Sequence, residues 1–506
     1  MRLKPIYFKI FLSFIFFFLL SRLFYLQIVK GEENLSSSRE NRIKLVKTPA
    51  LRGVIYDTEG KILVRNQENG RYYLYPQETS HLLGYVGEAT EEEIKKYQLS
   101  LGDLIGKMGI EKQYDDVLRG KNGGVLIETD ALGNEIREVK KIEPQTGTDI
   151  YLNLNLDLQK KALDLLKDKK GAIIVTQPKT GAVLALVSSP SFNPNLFTLK
   201  AENEDNASSF EDKRNEEITK LFENSAQPMF NRAIAGLYPP GSTFKIVTAI
   251  AGLEEKKISK ETKVEDTGEI KVGEYTYGNW YFRQYGQKEG ELDLVKAIQR
   301  SNDIYFYKVG EWLGIGKLNS WSKYFGLGQK SEIDLPFEAS GLVPSPRWKK
   351  EVKTEGWYLG DTYITAIGQG NLQLTPLQVN QLSSVIAANG QLCQPTILKS
   401  KPSSCLDLKI KLENLDLVKK GMIEVCQKGG TAFPFFDFPF KTACKTGTAE
   451  IGLKEDEKTH AWFTVFAPAD NPEVVMTVLI EEGGEGSADA APLAKALLEY
   501  WFKDKF

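Results

Sequence analysis

Residues Ile10 to Val29 form a run of twenty in which no acid occurs and Arg22 is the single charge. As a helix that run spans about 30 Å, the thickness of a bilayer's hydrocarbon core, so this segment commits the chain to a membrane or to export. Arg22 lies in the second half, where its long side chain can snorkel to the interface. A cleaved export signal is the competing reading, because the densest apolar stretch, Ile10 to Leu20, is eleven residues behind a basic start. Ser21-Arg-Leu-Phe-Tyr25 offers no small-x-small cleavage site, which favours an uncleaved anchor. Arg2, Lys4 and Lys9 precede the run and no acid appears before Glu32, so the N-terminus is expected in the cytoplasm and the rest outside. No later stretch approaches the length of a second span, which implies a single pass. ATP-driven chemistry is then improbable for the exported part.

Charged residues make up 26% of the chain and balance at 65 basic against 67 acidic, leaving no broad positive field for nucleic acid. Two histidines, His81 and His460, make a histidine-rich metal centre unlikely, and no cofactor or metal is expected. Cys393, Cys405, Cys426 and Cys444 permit three pairings in an oxidising compartment, with Cys393–Cys405 preferred across the short apolar stretch Gln394 to Leu398. Four buried thiols are the alternative.

Between about 35 and 150 the chain reads as short, turn-bounded segments. Arg52 to Val64 predicts two short strands around Thr58-Glu-Gly60, and Gly109 to Gly120 predicts a helix stopped by its last glycine. From 171 the pattern changes. Gly171 to Gln177 and Ala182 to Val187 are apolar strands joined through Pro178-Lys-Thr-Gly181. Residues 197–227 read as a charged loop or short helical insertion. Helical stretches dominate 241–425, and strands return at Lys441–Ile451, Ala461–Ala467 and Val474–Ile480 before a final helix from about Ala490 to Phe502. Strands at both ends with helices between predict an α+β domain, an antiparallel sheet carrying an inserted helical subdomain.

Tyr238-Pro-Pro-Gly-Ser-Thr-Phe-Lys245 runs into an apolar helix ending near Leu253. Ser242 falls at the helix start, where free N–H groups favour a developing anion. Lys245 is one turn on and shares its face. Burial in so apolar a helix pulls a lysine below its usual pKa of about 10.4, and a neutral amine beside a hydroxyl can take its proton. Ser320-Trp-Ser-Lys323 has the same spacing but sits in an amphipathic helix with its lysine predicted to face water. Lys445-Thr-Gly-Thr448 offers a positive side chain, hydroxyls and an approachable backbone on one strand, suited to an extended substrate ending in a carboxylate. Lys179-Thr-Gly181 repeats those letters in a hairpin turn. Ser301-Asn-Asp303 lies between the two elements and taken alone reads as a cap or loop.

The three elements in this order resemble the penicillin-binding proteins and serine β-lactamases. Pro178 to Pro190, Asn231-Arg-Ala-Ile234, Gly368 to Gln378 and His460-Ala-Trp-Phe463 look like penicillin-binding protein transpeptidase domains. Tyr25 to Gly31, Gly109-Ile-Glu-Lys112 and Leu118-Arg-Gly120 resemble class B members of the penicillin-binding protein 2 group. The resemblance implies the penicillin-binding protein transpeptidase fold, with a cytoplasmic tail at 1–9, a transmembrane anchor at 10–29, a mainly β-rich pedestal at 30–170 and the catalytic domain at 171–506. It implies a D,D-transpeptidase that cross-links peptidoglycan stem peptides in cell elongation and is acylated by β-lactams. Ser242 would be the nucleophile, Lys245 its base and Ser301 a proton relay. Lys445, Thr446, Gly447 and Thr448 would form the substrate strand, and the backbone N–H groups of Ser242 and Thr448 the oxyanion hole. Asp303 stands where the wider family carries Asn; an ionised carboxylate there raises the Lys245 pKa against the effect of burial. A multi-pass glycan polymerase of the elongation complex is the expected partner, on an extracytoplasmic membrane face.

Alternatives on the same fold are a division-specific class B enzyme, a D,D-carboxypeptidase, a β-lactamase and a β-lactam sensor. A β-lactamase has no use for the anchor and spacer, and a sensor needs more than the nine residues before the apolar run. Residues 30–170 are too few for a glycosyltransferase domain.

Overall fold

The computed structural model describes residues 5–35, 43–68, 70–130, 134–199, 207–451 and 458–505. Arg2 and Lys4, on which the expected orientation rests, lie outside the described residues, as does 200–206 of the charged stretch. The chain divides into two compact units, Met1–Gly53 with Asp116–Thr148, and Val54–Asp115 with Asp149–Phe506.

In the first unit a helix runs Pro5–Phe24 and continues as a π turn, Tyr25–Val29. The apolar span is Ile6–Val29, four residues longer at its start than the sequence reading. Proline is tolerated in a first helical turn, and Ile6-Tyr-Phe8 extends the apolar surface behind it. Among the described residues it is the one helix long and apolar enough to cross a membrane, and its side chains are exposed throughout. The same unit holds an antiparallel three-stranded sheet, Ile43–Thr48, Gly123–Thr129 and Glu135–Ile142, with Gly123–Thr129 central.

The second unit contains the short strands predicted around Thr58-Glu-Gly60, at Ile55–Tyr56 and Ile62–Gln67, where the Asp57 carboxylate accepts the N–H groups of Glu59 and Lys61 at 2.9 and 2.8 Å. The single helix predicted from Gly109 is instead two short turns, Gly109–Gln113 and Asp115–Leu118. The Tyr114 N–H still donates to Ile110 O at 3.0 Å, and the Asp115 carboxylate that follows accepts the Gly106 N–H at 2.8 Å.

The core of this unit is a five-stranded antiparallel sheet: β1 (Gly171–Thr176), β2 (Val183–Ser189), β3 (Ala443–Ile451), β4 (Lys458–Ala467) and β5 (Val474–Ile480). The order is β2-β1-β5-β4-β3, which leaves β3 at an edge. Every residue of β1 and β5 is buried, which explains why their sequences are apolar without alternation: both sheet faces are covered. Six helices frame the site: α1 (Lys245–Glu254), α2 (Leu294–Gln299), α3 (Asp303–Tyr324), α4 (Pro376–Ala387), α5 (Leu412–Val425) and α6 (Ala491–Trp501). α4 packs on β1, β4 and β5, and α6 packs on β4, β5 and the helix Leu156–Leu165. Buried Asn380 of α4 donates to Val475 O at 3.2 Å and Thr477 Oγ1 at 3.3 Å and accepts from Thr176 Oγ1 at 2.6 Å, joining helix to sheet.

The insertion between β2 and β3 is less purely helical than predicted. Among the described residues it carries three strand pairs: Val264–Asp266 with Gly290–Leu292, Glu269–Val272 with Tyr275–Gly278, closed through Gly273 at φ +62°, and Gln391–Cys393 with Cys405–Asp407. Within the charged stretch, Ala207–Glu223 is helical. Disulfides join Cys393 to Cys405, the preferred pair, and Cys426 to Cys444, which ties the end of α5 to β3.

Candidate active site

Gly241–Phe244 is one 3₁₀ turn leading directly into α1, so Ser242 sits at the helix entry and Lys245 opens the α-helix. α1 is buried from Lys245 through Leu253, as its apolar sequence requires. Lys245 Nζ, fully buried, donates to Asp303 Oδ1 at 2.6 Å and Ser301 O at 2.7 Å, and lies 3.4 Å from Ser301 Oγ. Burial holds its pKa below the usual lysine value, while the Asp303 charge and hydrogen bond, with Glu289 beyond, oppose that shift without cancelling it.

Ser301-Asn-Asp303 forms the tight link between α2 and α3. Ser301 has φ +53°, an uncommon conformation for a residue with a Cβ, and its surroundings enforce it. Asn302 caps α3 by accepting the Tyr305 N–H at 2.9 Å, and its Nδ2 donates to Asp266 Oδ2 at 3.1 Å and Glu289 Oε2 at 3.0 Å. Asn279 donates to Asp266 Oδ2 at 3.0 Å and accepts the Asp303 N–H at 3.1 Å. The second Asp303 oxygen accepts the Trp280 N–H at 2.9 Å, and Arg300 pairs with Glu289. Asp266, Asn279, Trp280 and Glu289 were not singled out from the sequence. They carry no local signal, because each is an isolated residue whose partner lies many positions away.

The third element enters on β3. Lys445 Nζ, also fully buried, donates to Ser301 Oγ at 2.8 Å and Thr446 O at 2.9 Å. Burial and then the Lys245 charge push its pKa well below the usual value, against Asp303. The Thr446 hydroxyl pairs with Thr431 Oγ1 at 2.7 Å, a second partner the sequence did not reveal. Gly447 is tightly packed: a Cβ there would lie 3.0 Å from Trp462 Cβ and 3.1 Å from both Pro240 O and Thr243 Cγ2. Gly241, at φ +55°, is pressed on Thr448, since its Cβ would lie 2.8 Å from Thr448 O. The Ser242 turn and the edge strand therefore meet backbone to backbone.

Ser301 Oγ thus lies between two buried amines, with Ser242 one turn before the first of them. A hydroxyl at a helix entry, a desolvated amine that can accept its proton and an open strand edge are the parts of an acyl-transfer site. The two look-alikes are elsewhere. Lys179 lies in the β1–β2 turn and donates to Asn471 Oδ1 at 2.6 Å, while Ser320 and Lys323 are exposed on α3. Among the described residues, no group of three or more His, Cys, Asp or Glu could hold a metal ion.

Residues 171–499 match the model of the penicillin-binding protein transpeptidase domain. The chain belongs to the penicillin-binding protein family. Residues 67–152 match the penicillin-binding protein dimerisation domain. The peptidoglycan D,D-transpeptidase MrdA of Haemophilus influenzae is 31% identical over 96% of this chain and 89% of the relative. MrdA of Acinetobacter baumannii is 36% identical over 85% of this chain, which spans 66% of that relative's length. The solved complex of penicillin-binding protein 2 with MreC from Helicobacter pylori superposes with a TM-score of 0.80 at 29% identity, covering 92% of this chain and all of that one. Within its family the chain is a peptidoglycan D,D-transpeptidase of the penicillin-binding protein 2 type.

Asn302 allows the brace beneath this site to be tested. Asn302→Ala loses the cap and leaves two carboxylates short of a donor, and lowers stability by about 1–2 kcal/mol, read as a lower Tm of the full-length protein in detergent. Asn302→Asp keeps a capping oxygen but sets a third carboxylate against Asp266 and Glu289. Its Tm loss exceeds that of the alanine variant, because three like charges then share one pocket. A loss no greater than that of the alanine variant would contradict the assignment.

Proposed function

We propose that Ser242 attacks the carbonyl between the two terminal D-alanines of a peptidoglycan stem peptide while its proton passes to the neutral amine of Lys245. The carbonyl oxygen, carrying the developing charge, is received by the backbone N–H groups of Ser242 and Thr448. Ser301 hands a proton to the departing D-alanine amine, which leaves the penultimate residue esterified to Ser242. The amine of a neighbouring stem then displaces Ser242 Oγ, giving the cross-link and restoring the hydroxyl. Lys445, Thr446, Gly447 and Thr448 receive the substrate's extended end, and Asp303 tunes the proton affinity of Lys245. The observation that carries this reading is the placement of Ser301 Oγ 2.8 Å from Lys445 Nζ and 3.4 Å from Lys245 Nζ, a relay position between two desolvated amines.

On this reading residues 1–9 are a cytoplasmic tail, 10–29 the anchor, 30–170 a pedestal and 171–506 the extracytoplasmic transpeptidase domain. β-Lactams acylate Ser242 and remain there. The kinship with MrdA and with a penicillin-binding protein 2 solved in complex with MreC supports work within an assembly of that kind, which we read as cell elongation beside a multi-pass glycan polymerase.

Labelled penicillin acylates the full-length protein and the adduct maps to Ser242 by mass spectrometry, whereas Ser242→Ala takes no label; an adduct elsewhere defeats the assignment. Asp303→Asn removes the charge that opposes burial, so the Lys245 pKa falls further and the neutral base persists to lower pH. The acid limb of the acylation-rate profile therefore moves to lower pH; an upward move or no move contradicts the role given to Asp303. Depleting the protein in its host rounds the cells, and filaments would point to division instead.

A further inference from the structure

An oxyanion site needs its two donors held to a fraction of an ångström, because a misplacement of about 1 Å can cost on the order of a hundredfold in rate. Here the donors belong to different elements, the 3₁₀ turn at Ser242 and the edge strand β3 at Thr448. These elements meet across two glycines, Gly241 and Gly447, which allow close approach but restrain the backbone least. A third segment touches both. Gly368 O accepts the Gly241 N–H at 2.9 Å, and the next residue, Gln369, donates from Nε2 to Thr448 O at 3.2 Å. Gly368 has φ +81°, and a Cβ on it would lie 2.0 Å from Gly241 O, so the segment is seated tightly against the nucleophile turn. It is itself anchored: Gly368 N and Gln369 N donate to Thr365 O and Ile364 O, both at 3.0 Å. The preceding helix, Leu359–Ala366, is tied to α1 by Thr248 Oγ1 donating to Ala366 O at 2.7 Å.

The N–H and C=O of one strand residue point to the same edge, so holding the Thr448 carbonyl also fixes the direction of its N–H. We propose that Gln369 is a positioning residue for peptide acylation: with Gly368 it sets the separation and aim of the two oxyanion donors, although its bond falls on a carbonyl rather than on the reacting atoms. The inference rests on the reading of Ser242 and Thr448 given above.

The test measures acylation of the full-length protein by a fluorescent penicillin over a range of concentrations, separating the limiting rate k2 from the binding constant Ks. In Gln369→Ala, and in Gln369→Glu, which keeps the shape but offers only acceptors to a carbonyl, k2 falls roughly ten- to a hundredfold. Ks stays within about threefold, as expected when an interaction acts mainly in the transition state. The pH profile keeps its acid limb and Tm stays within a few degrees. Wild-type k2 in either variant overturns the proposal. So does a moved acid limb, which would route the effect through Lys245, or a loss of k2 seen only together with a collapsed Tm. An adduct mapping away from Ser242 in the wild type sinks the underlying site; a wild-type adduct on Ser242 with unchanged k2 in the variants sinks the role of Gln369 alone.

Discussion

Two lysines without solvent exposure, Lys245 and Lys445, converge on the single hydroxyl of Ser301 with one carboxylate, Asp303, in direct contact. Removing an ammonium from water costs several kcal/mol even after relaxation, on the order of the whole stability of a domain for two such groups. That cost appears as a bias toward losing the proton. Burial lowers both pKa values, and for Lys445 the neighbouring Lys245 charge adds to the effect. What makes the groups expensive to bury is therefore also what makes an amine available to take a proton from a serine.

Much of the surrounding structure serves that condition. α1 is buried on every side, which keeps water from Lys245, and β3 contributes Lys445 from a sheet whose central strands are covered on both faces. Asp303 is the first residue of α3, where the positive end of the helix favours its charge, and the Trp280 N–H holds its second oxygen. Beneath it, Asp266, Asn279, Asn302 and Glu289 satisfy one another and keep Ser301 in its positive-φ conformation. A buried polar network of this kind is stabilising only when its members are all partnered, so changing one of them affects several.

The sequence carried different parts of the site with different clarity. Ser242 and Lys245 were legible because helical spacing is a local property: three residues apart on an apolar helix means one face and a buried amine. The same spacing at Ser320 and Lys323 was distinguishable through its amphipathic context, and both residues are exposed. Ser301 and Lys445 were legible as motif letters in order, yet nothing in that order states that they lie 2.8 Å apart. Asp266, Asn279, Glu289 and Thr431 gave no signal, since a lone polar residue looks the same whether it is solvated or holds a buried turn; Gln369 lay in the family-like stretch Gly368 to Gln378, which did not state what its side chain touches. The break at Tyr114 left no local signal either, since neither proline nor glycine marks it.

From the order of residues alone came the apolar anchor, the α+β division into terminal strands and inserted helices, the serine with its lysine, and kinship with the penicillin-binding proteins. The first three are properties of periodicity, composition and local spacing, which depend on neighbours a few positions away; the kinship came from the likeness of its motifs to that family's. Only the folded chain decided that β3 lies at the sheet edge against Gly241, that two lysines share one hydroxyl, and that Gly368 and Gln369 bond to Gly241 and Thr448. Those contacts join residues dozens to hundreds of positions apart, and their energies come from desolvation and close packing, which have no counterpart along the unfolded chain.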